Sequence, residues 1–194
     1  MLSRPKRDGF VFSKWEVDGD SNSTYDEINN KVKIKESDIK LKALWIPESE
    51  AVARIKETNV IYKSIQLAFD AAIDGQTVIL ERTTFENPVN LKKIKYDLNG
   101  FTQNGRLVNV GSIVVYGGSI DSSDVGIVNQ GELTLGIDDD EIHSRDCKIG
   151  EETGCVSIKG TGIGVQNDGG KFNFYDGYIK GTYAIIGGCT KTPI

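Results

Sequence analysis

Apolar positions along this chain keep two different rhythms. Over residues 1–46, short apolar runs alternate with charge: Phe10-Val11-Phe12 ahead of Trp15, then Val32-Lys33-Ile34-Lys35, then Ile39-Lys40-Leu41-Lys42-Ala43-Leu44-Trp45. A period of two predicts half-exposed strands with lysine on the wet face. Pro47-Glu48-Ser49-Glu50 opens a stretch, 47–59, that reads as a linker. From Ser64 to Ile73 the rhythm changes: Ile65, Ala68, Phe69, Ala72 and Ile73 fall at i, i+3, i+4, i+7 and i+8, one apolar face of a helix. Asp74-Gly75 closes it. Strands follow in Thr77-Val78-Ile79-Leu80 and Tyr96-Asp97-Leu98-Asn99-Gly100, so the helix is expected to cap a sheet structure.

An internal repeat then sets the architecture. Val108-Asn109-Val110-Gly111 recurs as Val128-Asn129-Gln130-Gly131 and as Gln166-Asn167-Asp168-Gly169, and an alternating strand follows each: Ser112–Tyr116, Glu132–Leu135, Lys171–Tyr175. The asparagines lie 20 and 38 residues apart, read as one and two units of about 19. A unit that short, with strands and no helix, cannot close a core alone and must stack on its neighbours. A parallel β-helix meets that demand, with Asn-x-Gly supplying tight or left-handed corners. The expected fold is mostly β: a small module over 1–46, then a parallel β-helix over 60–194, incomplete at its C-terminal end.

Composition and charge narrow the function. Glycine is abundant at 22 and proline scarce at 4, as suits many short strands joined by turns. Residues 1–46 hold 9 Lys/Arg against 8 Asp/Glu, a balance of +1. Of the chain totals of 23 and 28, this leaves 14 against 20, or −6, for the remainder. Neither part carries the basic excess of a nucleic-acid binder, and no apolar run is long enough to enter a membrane. The start, MLSRPKRDGF, lacks the apolar core of a secretory signal. Cys147, Cys155 and Cys189 show no CxxC spacing, which argues against structural zinc. Buried free thiols are the preferred reading, with a Cys147–Cys155 bridge as the alternative.

The first 46 residues resemble the second half of the internalin B-type, or Listeria-Bacteroides, repeat. Pro5, Arg7, Gly9, Phe10, Phe12, Trp15, Tyr25-Asp26, Ile39, Leu41, Ala43 and Trp45 carry the match, with Lys14 in place of the usual Gly. The resemblance implies a β-grasp-like spacer of bacterial surface proteins, entered here partway through its domain. Residues 60–190 resemble the pectin-lyase-like right-handed β-helices of adhesin-like surface proteins. The segment D-G-Q-T-V-I-L after the helix is similar to their entry cap, and Gln166 to Gly181 is similar to one of their recurrent rungs.

Several stretches invite chemistry. GIDDDEIHSRD, Gly136 to Asp146, sets Asp138, Asp139, Asp140, Glu141 and Asp146 around His143, the one histidine. It follows a strand end, which places it in a turn or enlarged loop between rungs, where solvated acids are ordinary; weak calcium binding is the single cofactor kept in view. Asp18, Asp20 and Asn22 open like a calcium loop, but Ser23 and Asn29 stand where its Gly and Glu are required, so this is a turn. GTGIG, Gly160 to Gly164, lacks a phosphate-loop Lys-Ser/Thr pair and is a corner. Trp15 and Trp45 read as module core rather than a sugar platform. Asp97, Asp121, Asp124 and Asp176 sit at different points of the repeat, so no lyase or glycosidase acid pair is assigned. No GxSxG elbow accompanies His143, and nothing supports Cys147 as a nucleophile.

No catalytic, cofactor or metal residue is therefore assigned. The expected role is structural or adhesive: a rigid stalk in a bacterial surface protein, extracellular, with a carbohydrate or host-surface ligand and with its export signal and anchor outside this chain. A polysaccharide lyase or glycosidase and a phage tailspike-like fibre are the alternatives.

Overall fold

The computed structural model describes residues 2–18, 22–26, 29, 31–35, 39–137 and 155–187. In the first part, β1 (Phe10–Asp18) and β4 (Lys40–Pro47) form an antiparallel ribbon with a register shift between Phe12 and Trp15. A second antiparallel ribbon joins β2 (Thr24–Asp26) to β3 (Lys31–Lys33). Trp15 and Trp45 both pack on Phe12, at ring-centroid distances of 5.3 and 5.8 Å, and form the small core of this part.

The stretch expected as a linker is in good part ordered structure. Pro47 ends β4, Glu48–Glu50 make a 3-10 turn, and β5 (Ala53–Ile55) pairs antiparallel with β6 (Val60–Tyr62). Val52, Ala53, Ile55 and Val60 are buried, and burying such side chains contributes roughly 1.5–3 kcal/mol for the larger ones. Their apolar faces therefore hold the hairpin on the solenoid in place of a free tether.

A right-handed parallel β-solenoid of five coils follows. Coil 1 holds β7 (Thr77–Leu80), β8 (Thr84–Phe85) and β9 (Val89–Asn90), and coil 2 holds β10 (Lys93–Asp97), β11 (Thr102–Asn104) and β12 (Leu107–Asn109). Coil 3 holds β13 (Ser112–Tyr116), β14 (Ser119–Ser122) and β15 (Val125–Asn129), and coil 4 holds β16 (Glu132–Leu135), β17 (Ser157–Gly160) and β18 (Ile163–Asn167). Coil 5 holds β19 (Lys171–Phe174), β20 (Tyr178–Lys180) and β21 (Tyr183–Gly187). The first strands of the coils stack as sheet 1, the second as sheet 2, the third as sheet 3. The β5–β6 hairpin extends sheet 1 past β7, antiparallel to it.

Parallel register lines like residues into columns through the interior. Ile94, Ile113, Leu133 and Phe172 form one column, and Leu107, Ile127, Val165 and Ile185 form another. The end before coil 1 is closed by α1 (Ile65–Ala71), N-capped by the Ser64 side chain, with Phe69 edge-on to Tyr96 at 5.1 Å. The expected apolar face holds for Ile65, Ala68, Phe69 and Ala72, but Ile73 is 55% exposed. Backbone at Ala72 is already extended, so Ile73 has left the helical face.

One further expectation needs correction. Asn129 pairs directly with Asn167, so the interval of 38 residues is one coil carrying an insertion and not two coils. Residues 136–156 stand between β16 and β17, where coil 3 has only Gly117 and Gly118. The acidic stretch falls in the chain between β16 and β17, and its residues 138–146 lie outside the described residues. The Asn-x-Gly corners use glycine in both of the expected ways, since Gly169 is left-handed with open space around it. At Gly131 a Cβ would lie 1.9 Å from the carbonyl oxygen of Gly111, so close approach between coils, not a left-handed backbone, selects glycine there.

Candidate functional sites on the solenoid faces

The asparagines of the repeat turn inward. Asn90, Asn109 and Asn129 are fully buried, and each passes its amide hydrogen to the next coil: Asn90 Nδ2 to Asn109 Oδ1 at 2.9 Å, Asn109 Nδ2 to Asn129 Oδ1 at 2.8 Å, Asn129 Nδ2 to Asn167 Oδ1 at 2.6 Å. The same amides reach backbone carbonyls of their own and the following coil, such as Gly111 and Glu132 for Asn109. With donors and acceptors used internally, this ladder is structural and offers no group to a ligand. Sequence reading found Asn109, Asn129 and Asn167 but missed Asn90, which is followed by Leu91-Lys92 and lacks the Gly signature.

The acids singled out in the sequence do not converge. Asp97 lies on the outer side of sheet 1 and Asp121 on that of sheet 2. Asp124 precedes β15, where its carbonyl accepts from Gly162 and Ile163; Asp176 follows β19, where its carboxylate accepts from Gly177 N at 2.6 Å. Asp138 to Asp146, with His143, and also Cys147 and Cys189, lie outside the described residues. Cys155 is disulfide-bonded, which corrects the expectation of free thiols for this residue. Among the described residues, no group of three or more His, Cys, Asp or Glu is placed to hold a metal ion.

The structure instead assembles a polar cluster on the outer side of sheet 1 that sequence reading missed. Because β5 runs antiparallel on β7, Arg54 falls opposite Ile79 and so in one column with Asp97 and Tyr116. Arg54 Nε donates to Glu81 Oε1 at 2.6 Å and its Nη1 to Asn59 Oδ1 at 3.2 Å, while Glu57 accepts from Thr77 N. Asp97 Oδ1 accepts from Asn99 N at 2.8 Å. Burial raises the Asp97 pKa above the ordinary carboxylate value, against the opposing pull of the Asn99 amide, Lys56 and Arg54, and Glu81 adds to the rise. Burial also raises the Tyr116 phenol, with Asp97 and Glu57 acting in the same sense. A carboxyl held up in this way beside two cations can exchange a proton or orient a polar ligand. The only local signal was the alternation in Val52-Ala53-Arg54-Ile55-Lys56, hidden inside the supposed linker.

A second polar column lies on sheet 2, where Asp121, Lys159 and Lys180 are register partners on β14, β17 and β20. With Thr161 and Thr182 they line a cleft of about 490 Å³. GTGIG forms its corner: a Cβ at Gly160 would lie 1.9 Å from the Ile163 carbonyl oxygen. No protein-family model, curated protein or solved structure matches the chain.

Proposed function

We propose that the chain is a structural and adhesive segment of a bacterial cell-surface protein, in which a small internalin B-type spacer leads into a stiff β-helical stalk whose sides meet glycans or a host surface. The observation that carries this reading is the unbroken ladder from Asn90 to Asn167 inside three stacked parallel sheets. Each coil is bonded to the next through backbone and side chain together, so bending the stack strains both at once. The attachment of the first part supports a load-bearing role. Arg4 donates to the Thr58 and Asn59 carbonyls and Ser13 to Ile61, which ties the spacer to the hairpin, while Arg82 donates to Ser49 and Lys63 pairs with Glu50 to hold the 3-10 turn between them. A disulfide at Cys155 accords with an oxidising, extracellular compartment. No helix among the described residues is long and apolar enough to cross a membrane.

Immobilised protein titrated with glycans and matrix proteins tests the adhesive half of the proposal; saturable binding is expected, and none at all would leave a scaffold only. One observation favours a second reading, a polysaccharide lyase or glycosidase: the cluster of Asp97, Arg54, Lys56 and Glu81 on the outer side of sheet 1. Incubation with polygalacturonate and calcium separates the two. The stalk reading expects no gain in unsaturated-uronate absorbance, and a gain that disappears in Asp97→Asn would install the enzyme in its place.

A further inference from the structure

The three faces of the solenoid differ in charge. The coil strands of sheet 1 carry Lys93, Lys95, Asp97, Glu132 and Lys171, and those of sheet 2 carry Asp121, Lys159 and Lys180. The five strands of sheet 3, which are β9, β12, β15, β18 and β21, contain no charged residue. Since Asn90, Asn109 and Asn129 point into the core, the residues one position earlier point outward. Val89, Val108, Val128, Gln166 and Ile186 thereby form one outer column through all five coils. At the corner beyond it, Leu91 is 69% exposed and Val110 44%. This aliphatic surface adds nothing to the core, and an apolar face left open over several coils marks an interaction site.

The occupant must match a face without charge, because a charged surface laid on it would lose its water and gain no partner. A second copy supplies such a face with the same column spacing of about 4.8 Å, so every coil engages at once. Aligned sheets pack with their strands within about 30° of each other, which leaves two ways to pair the faces by a two-fold axis. An axis along the strands, centred on the middle coil, sets the exposed Asp124 against its own copy. An axis parallel to the solenoid lays each coil on its equivalent and turns the start of each strand toward the end of the same strand in the other copy. Arg106 then meets the Val110 corner, Asp124 meets Gln130, and Asp168 meets the Gly162 corner, so no like charges oppose. Five strands with their corners span roughly 24 by 20 Å, or about 1,000 Å² over both copies, the size of a weak specific interface.

We propose that sheet 3 is a self-association face, through which two copies pair side by side with their solenoids pointing the same way. On the surface-protein reading the pair is a bundle of neighbouring stalks, but the pairing itself stands without that reading. Sedimentation equilibrium of the whole chain from about 10 μM to about 1 mM tests it. A monomer–dimer equilibrium in the upper micromolar range is expected, and it should not weaken as salt rises, because no charges pair across the face. Val108→Lys and Val128→Lys each weaken it by about tenfold or more, since the two-fold axis sets each new charge against its own copy. The double variant is monomeric throughout, while Val114→Lys on sheet 1 changes nothing. Val108→Glu, monomeric alone, pairs again when mixed with Val108→Lys, because coil 2 lies on coil 2. Circular dichroism confirms that each variant is folded.

The proposal is overturned if the chain stays monomeric at the highest concentration, if association weakens as salt rises, if the double variant still dimerises, or if the mixed variants stay apart. Its failure is separable from that of the surface reading. A monomeric chain that binds immobilised glycans or matrix proteins removes the pairing alone, and a pairing chain that binds none of them removes the adhesive role alone.

Discussion

Asn109→Ala should be among the most damaging single changes in the solenoid. The wild-type amide donates to Asn129 Oδ1 at 2.8 Å, Glu132 O at 3.0 Å and Gly111 O at 3.3 Å, and its oxygen accepts from Asn90 at 2.9 Å. Truncation leaves Asn90 Nδ2 its bond to Lys92 O and leaves Gly111 O its bond from Glu132 N. Asn129 Oδ1 has no such substitute, and the side-chain bond to Glu132 O is lost although that carbonyl keeps its place in the β13–β16 ladder. At about 1–3 kcal/mol for the buried acceptor left unsatisfied and about 1 kcal/mol for the lost bond to Glu132 O, and allowing a water to enter the vacated polar space, the expected cost is about 2–4 kcal/mol. Asn167, half-buried, donates only to Gly170 O, and Asn129 Nδ2 keeps Gly131 and Lys171 carbonyls without it. Asn167→Ala should therefore cost no more than about 1 kcal/mol. Urea denaturation followed by far-UV circular dichroism measures both. A cost below about 1 kcal/mol at Asn109, or an equal cost at Asn167, would refute the view that the buried ladder stabilises the stack. Asn109→Asp sharpens the test. Burial among acceptors raises its folded pKa above the unfolded value of about 3.9, so the ionised form is disfavoured in the fold. Its penalty should be smallest below that unfolded value and grow as pH rises toward the folded one.

Further outcomes follow from single contacts. Gly131→Ala, with its Cβ 1.9 Å from backbone, should cost about 3 kcal/mol or more, while Gly169→Ala, left-handed but with open space around it, should cost about 1–2 kcal/mol in the same melts. Glu86→Ala removes the carboxylate that accepts from Ile65 N and Gln66 N at the start of α1, and thermal melts should show a loss of about 1–2 kcal/mol. Asp97 has a raised folded pKa, so its ionisation opposes folding as pH climbs from the unfolded to the folded value. Asp97→Asn should accordingly stabilise above that window and have no effect below it, by under about 1 kcal/mol because the carboxyl is only partly withdrawn from water. Thiol titration of the unfolded, unreduced monomer should find one free cysteine of the three, and three after reduction.

What could be read from the chain alone was what is local and repeated. Strand alternation, the helix from Ser64 and the Asn-x-Gly corners are visible within windows of a few residues, because side-chain period and turn chemistry are set by neighbouring backbone. Stacking was legible as well, since a unit of about 19 residues has no core of its own. The coil count was not, because an insertion between β16 and β17 and an extra coil lengthen the interval between two asparagines in the same way; only the pairing of Asn129 with Asn167 distinguishes them. The same holds for both polar columns. Arg54 meets Asp97 because a hairpin folds back antiparallel on β7, and Lys159 meets Lys180 because parallel register puts residues 21 positions apart one strand spacing from each other. Register is decided by which interior columns fill, a property of the assembled core, and it alone determines which surface charges become neighbours.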